Sequence, residues 1–180
     1  KKAGEALVIV PTRELAMQVS DELYKFGKHL GINTATVYGG QSYSTQLKNI
    51  ERSSIIVATP GRFLDLLRGG KIDIKPSFVI LDEAEANIHD LLFQNLLETI
   101  QPMIKGQLIM TTHNTMLMEA DFARTATYIL QMNPEFPWDK QIKCITDYKK
   151  RTYATNNIRN KYLNREYGGV PELKSTELRE

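Results

Sequence analysis

Read from its amino end, the chain alternates short apolar runs with longer stretches whose apolar positions recur roughly every three or four residues. Ala6–Val10 (ALVIV) reads as a buried strand running into Pro11. Glu14–Leu30 follows with Leu15, Val19, Leu23, Phe26 and Leu30 at helical spacing, and Gly31 is placed to cap that helix at its carboxyl end. The pattern repeats as a strand over Asn33–Tyr38 that ends at Gly39-Gly40, a helix over Ser44–Glu51, a strand over Ser54–Ala58 and a helix over Phe63–Arg68. Phe78–Leu81 is a strand ending at Asp82-Glu83, Ile88–Ile100 a helix and Gln107–Thr111 a strand that leads to Thr112 and His113. A helix over Thr115–Phe122 and strands over Thr127–Gln131 and Gln141–Ile145 complete the series. Alternation of this kind predicts an α/β fold: a parallel sheet with helices on both faces, in three layers.

Composition narrows the class. At 180 residues the chain is long enough for one α/β domain, and 42% apolar with 24% charged residues is a globular balance. Cys144 is the only cysteine, which excludes a disulfide framework and a cysteine-built zinc site and fits a reducing, cytoplasmic setting. The longest apolar runs fall far short of the ~18 residues a membrane span requires, and no signal-peptide pattern opens the sequence. A single domain over 1–180 is expected, with a polar tail from Lys174. The formal charge is +2, but residues 1–81 carry eleven Lys/Arg against seven Asp/Glu, whereas 82–180 carry twelve against fourteen. The basic half suits a polyanion.

In an open parallel sheet ligands sit at the carboxyl ends of the strands. Here six predicted strand ends read Pro-Thr-Arg, Gly-Gly, Thr-Pro-Gly-Arg, Asp-Glu, Thr-Thr-His and Gln-Met-Asn, so polar and glycine-rich residues are expected along one rim. Asp82 and Glu83, directly after an apolar strand, form a Walker B pattern. Asp82 would hold Mg²⁺ through water, and Glu83 would orient or deprotonate an attacking water. His29 and His89 read as helix-surface residues, and no His/Asp/Glu spacing suggests a metal cage. The tyrosines and cations of 156–167 read as a solvated helix face, with a nucleic-acid surface as the alternative.

PTRELA at Pro11–Ala16, Gly39-Gly40, ATPGR at Ala58–Arg62 and VILDEA at Val79–Ala84 occur in this order, and residues 5–84 resemble the first RecA-like domain of DEAD-box RNA helicases. The resemblance implies ATP and Mg²⁺ as cofactors and single-stranded RNA as partner. In that reading Thr12 and Thr59 precede helix N-termini that offer free N–H groups to an RNA phosphate, Gly39, Gly40 and Gly61 allow close backbone approach, and Arg13 and Arg62 add charge.

The sequence departs from the family after residue 84. Glu85 stands where the family has Asp, and no Ser-Ala-Thr motif follows. Residues 79–173 instead resemble the carboxyl-terminal half of bacterial ABC-type ATPases of the recombination and phage-defence kind, which makes His113 a switch histidine beside the γ-phosphate. The chain thus reads as a helicase-like front (1–81) joined to an ABC-like back (82–173). No G-x-x-x-x-G-K-[ST] occurs, so the P-loop and its strand are missing and hydrolysis by this chain alone is not expected. An inactive chimeric or designed scaffold, or a fragment of an ABC-type defence ATPase, is the alternative. Without a P-loop strand, Gln107–Thr111 is left with a vacant edge. Either Thr127–Gln131 or a second copy of the chain is expected to close it.

Overall fold

A computed structural model describes residues 3–114 and two further strands at 128–132 and 140–144. The chain divides into two compact units, Lys1–His113 and Asn114–Glu180. The sequence suggested one domain whose halves meet near residue 81; in the fold that point lies inside a strand, and the division comes after His113. The expected helix at Thr115–Phe122 and the 156–167 stretch lie outside the described residues.

The first unit is a parallel sheet built from β1 (Ala6–Ile9), β2 (Thr34–Val37), β3 (Ile55–Ala58), β4 (Phe78–Asp82) and β5 (Gln107–Thr111) in the order β2-β3-β1-β4-β5. Its connecting helices are α1 (Arg13–Gly27), α2 (Tyr43–Glu51), α3 (Pro60–Arg68) and α4 (Asp90–Ile100). The expected long first helix is shorter than its apolar pattern. It ends at Gly27, a 3₁₀ turn covers Lys28–Leu30, and Gly31 closes the segment at φ 63°, the left-handed cap its position suggested.

The step from β1 to β2 runs along the sheet in the opposite direction to the next three, so right-handed crossovers put α1 alone on one face and α2, α3 and α4 on the other. The packing agrees. Leu15, Ala16, Val19 and Leu23 of α1 lie against Val8, Val10, Ile55 and Val57. On the opposite face Leu7, Ile9, Ile56, Val79 and Leu81 are all buried, and Phe63, Leu66, Phe93, Leu96 and Ile100 from α3 and α4 join them in the core.

One helix cannot cover five strands, and α1 packs on β2 and β3. On its side of the sheet Phe78 and Ile80 of β4 and Ile109 of β5 remain 57%, 39% and 49% exposed. Among the described residues β5 is paired only with β4, in the register Asp82↔Thr111. Thr127–Gln131 does not close that edge. Its strand, β6 (Tyr128–Met132), pairs antiparallel with β7 (Lys140–Cys144) in a separate sheet. A two-strand antiparallel pair satisfies its own inner backbone groups locally, with no crossover needed to reach a distant strand.

The uneven cover has a measurable consequence. Leu81→Ala, at a fully buried site, should cost about 3 kcal/mol in urea unfolding, while Ile109→Ala should cost less than about 1 kcal/mol. Equal costs would mean that the exposed strip is covered in solution.

Candidate functional site

Because the strands of this sheet are parallel, the loops that leave β1, β2, β3 and β4 all open on one rim. In rim order these are the Gly39-Gly40 loop, the Thr59–Arg62 turn, the Pro11–Arg13 turn and Asp82-Glu83, with Thr111–His113 beyond. The structure therefore brings together every site residue the sequence singled out.

The basic side is organised by local chemistry. Thr12 is the N-cap of α1, and its hydroxyl accepts the Leu15 N–H at 3.1 Å. Thr59 occupies the matching position before α3 but makes no capping bond through its side chain. The two threonines therefore differ: one hydroxyl is spent on the helix and the other is not. Arg13 is exposed and lies over the Tyr38 ring at 5.1 Å, with no carboxylate partner among the described residues. Gly40 sits at φ 88°, a conformation that favours glycine, whereas Gly39 and Gly61 have ordinary φ and only open space where a Cβ would stand.

Arg62 is held by its neighbours. Its Nη1 donates to the Gln41 carbonyl at 3.0 Å and to Gln46 Oε1 at 3.1 Å. Gln46 is fully buried, and its Nε2 donates to the Tyr38 carbonyl at 2.7 Å and to Gln41 Oε1 at 3.2 Å. Gln41 in turn donates to the Tyr38 hydroxyl. Sequence reasoning missed Gln46, Gln41 and Tyr38. A glutamine on the inward face of an otherwise amphipathic helix was the available signal, because a buried amide needs partners.

On the acidic side, beside the register pair Asp82↔Thr111, each acid's side chain meets one residue of the Thr111–His113 segment. The Thr111 hydroxyl donates to Asp82 Oδ1 at 2.6 Å and accepts the Glu83 N–H at 3.1 Å. The Thr112 hydroxyl donates to Glu85, whose other oxygen, Oε2, is buried with no hydrogen-bond partner among the described residues. His113 Nε2 lies 2.7 Å from Glu83 Oε1, with the imidazole 88% exposed. Glu83 is the one non-glycine residue with positive φ among the described residues, at 44°. His89, expected on a helix surface, is instead the N-cap of α4 and accepts the Leu91 N–H through Nδ1.

Among the described residues no three His, Cys, Asp or Glu side chains converge on a common metal position. A single partly exposed carboxylate, Asp82, anchored by a hydroxyl, fits an ion that keeps most of its water, as Mg²⁺ does.

Fold and rim together define a RecA-like α/β domain. A DEAD/DEAH box helicase model matches residues 1–129, and the chain belongs to that family. It is 52% identical over 83 residues to the DEAD-box ATP-dependent RNA helicase RhpA of Helicobacter pylori, covering 45% of this chain and 17% of that protein. With the ATP-dependent RNA helicase DeaD of Escherichia coli it shares 35% identity over 145 residues, 79% of this chain and 22% of the relative. Among solved structures, a DEAD box protein from Methanococcus jannaschii superimposes with TM-score 0.56 at 31% identity, covering 63% of this chain and 32% of that one. The yeast DEAD-box splicing factor Prp28 gives TM-score 0.54 at 26% identity over 62% of this chain and 28% of that one.

The chain thus spans about a fifth of the length of these curated relatives. The helicase match also extends well past residue 84, across much of the segment that resembled an ABC-type ATPase, and the matches give that second lineage and a chimera no support.

Glu83 provides a test of the rim's backbone. A left-handed residue bearing a Cβ costs about 1 kcal/mol, so Glu83→Gly should be more stable than Glu83→Ala by roughly that amount in thermal or urea unfolding. Equal stability would contradict the left-handed conformation.

Proposed function

We propose that this chain is the RNA-facing part of a DEAD-box helicase domain: it binds the backbone of single-stranded RNA through Thr12, Arg13, Gly39, Gly40, Thr59, Gly61 and Arg62. The observation that carries the reading is the gathering of these loops on adjacent strand ends, β2, β3 and β1, in a member of a helicase family. Phosphate contacts need backbone N–H groups, cations and room for close approach. The rim supplies N–H groups at the starts of α1 and α3, the guanidinium groups of Arg13 and Arg62, and unfilled space at Gly39 and Gly61.

The acidic side is read as a nucleotide-hydrolysis station. Asp82 would hold Mg²⁺ through water, Glu83 would hold the attacking water, and His113 would steady the Glu83 carboxylate. Bound ATP would supply the phosphoryl group. The sequence contains no G-x-x-x-x-G-K-[ST] to cradle a triphosphate, so this chain alone should bind RNA without turning over ATP.

Fluorescence anisotropy with labelled single-stranded RNA tests the reading. Binding at low salt should weaken as salt rises, and both Arg13→Ala and Arg62→Ala should reduce it. Gly61→Ala separates fold from function: the open space around Gly61 predicts unchanged or slightly raised stability, with weaker RNA binding. An absence of RNA binding at low salt would refute the proposal.

A further inference from the structure

Tyr43, the first residue of α2, carries two cations on its ring. The Arg62 guanidinium carbon lies 4.2 Å from the ring centroid, and the Lys71 ammonium nitrogen lies 3.7 Å from it. Lys71 is exposed and follows α3, so it reaches the ring from a segment well separated in sequence. Among the described residues neither cation has a carboxylate partner, although Glu51 and Asp73 line the same shallow hollow as Lys71.

Two like charges held on one aromatic ring repel each other. The ring's negative face offsets part of that repulsion and fixes where both charges stand. A group with diffuse negative charge that reaches both would offset much more. A phosphodiester fits, because Arg62 also belongs to the loop assigned above to RNA and Tyr43 remains 38% exposed.

We infer that Tyr43 and Lys71, acting with Arg62, form a further phosphate-binding point that prolongs the RNA track beyond the Gly39-Gly40 and Thr59–Arg62 loops. The inference rests on the RNA-binding reading and adds residues to it. Lys71 supplies the charge and Tyr43 is a positioning residue, since its ring sets the separation of the two cations. Arg62 is committed to Gln41 and Gln46 through Nη1, which holds that side of the site rigid.

The test is the salt dependence of single-stranded RNA binding, followed by fluorescence anisotropy for the wild type, Lys71→Ala, Tyr43→Leu, Tyr43→Phe and Arg13→Ala, with folding checked by thermal unfolding. On a single strand, each phosphate that the protein neutralises contributes about 0.7 to the slope of log affinity against log salt. Lys71→Ala and Tyr43→Leu should each weaken binding several-fold and flatten the slope by about that amount, whereas Tyr43→Phe should keep both. Wild-type slope and affinity in Lys71→Ala or in Tyr43→Leu, with Arg13→Ala still impaired, would overturn this site and leave the RNA-binding reading standing. Failure of the wild-type chain to bind RNA would overturn both.

Discussion

The arrangement depends on β1 being hydrogen-bonded in parallel on both sides, to β3 and to β4. Parallel neighbours cannot be joined by a hairpin, so each connection must cross over, and nearly all crossovers share one hand. Those two constraints fix which helix covers which face and bring the strand ends to one rim. They also leave a deficit. The single reversal of direction, from β1 to β2, gives one face only α1, and the apolar side of β4 and β5 is left to solvent within the described residues.

The rim shows how much of a functional motif the fold itself uses. Thr12 satisfies an otherwise unpaired helix N–H, a contribution of about 1 kcal/mol to the helix. Arg62 closes a network through Gln46 in which the amide of a fully buried side chain meets partners at both its oxygen and its nitrogen. By motif alone Thr12 and Thr59, or Arg13 and Arg62, are equivalent. The structure separates them: Thr12 and Arg62 hold the scaffold, while Thr59 makes no side-chain capping bond and Arg13 rests on Tyr38 with no carboxylate partner among the described residues.

Strand and helix identities were legible because periodicity reports burial, and burial is a local property of each element. All five strands of the first sheet and their four helices lie within a few residues of where the apolar pattern put them. Pairing was less legible. A run such as Tyr128–Met132 reads as a strand whatever its neighbour is, and nothing in its own pattern gives its antiparallel pairing with Lys140–Cys144. The meeting of distant side chains was not legible at all. Nothing in the spacing of Tyr43, Arg62 and Lys71 puts two cations on one ring, and the match of Thr111 with Asp82 follows only from the β4–β5 register.

The charge asymmetry of the sequence takes on a spatial meaning in this order of strands. β2, β3 and β1 are contiguous in the sheet, so Arg13 and Arg62 gather on one side of the rim while Asp82, Glu83 and Glu85 gather at the other. Adjacent strands are about 4.8 Å apart, so the boundary between the two fields is narrow. A nucleic-acid backbone is drawn to the basic side and repelled from the acidic one, and a hydrated divalent cation experiences the reverse. On the reading proposed above, one parallel sheet would keep a polyanion and a metal-bound nucleotide on neighbouring strand ends without either occupying the other's place. Its strand order, and not its net charge, does the sorting.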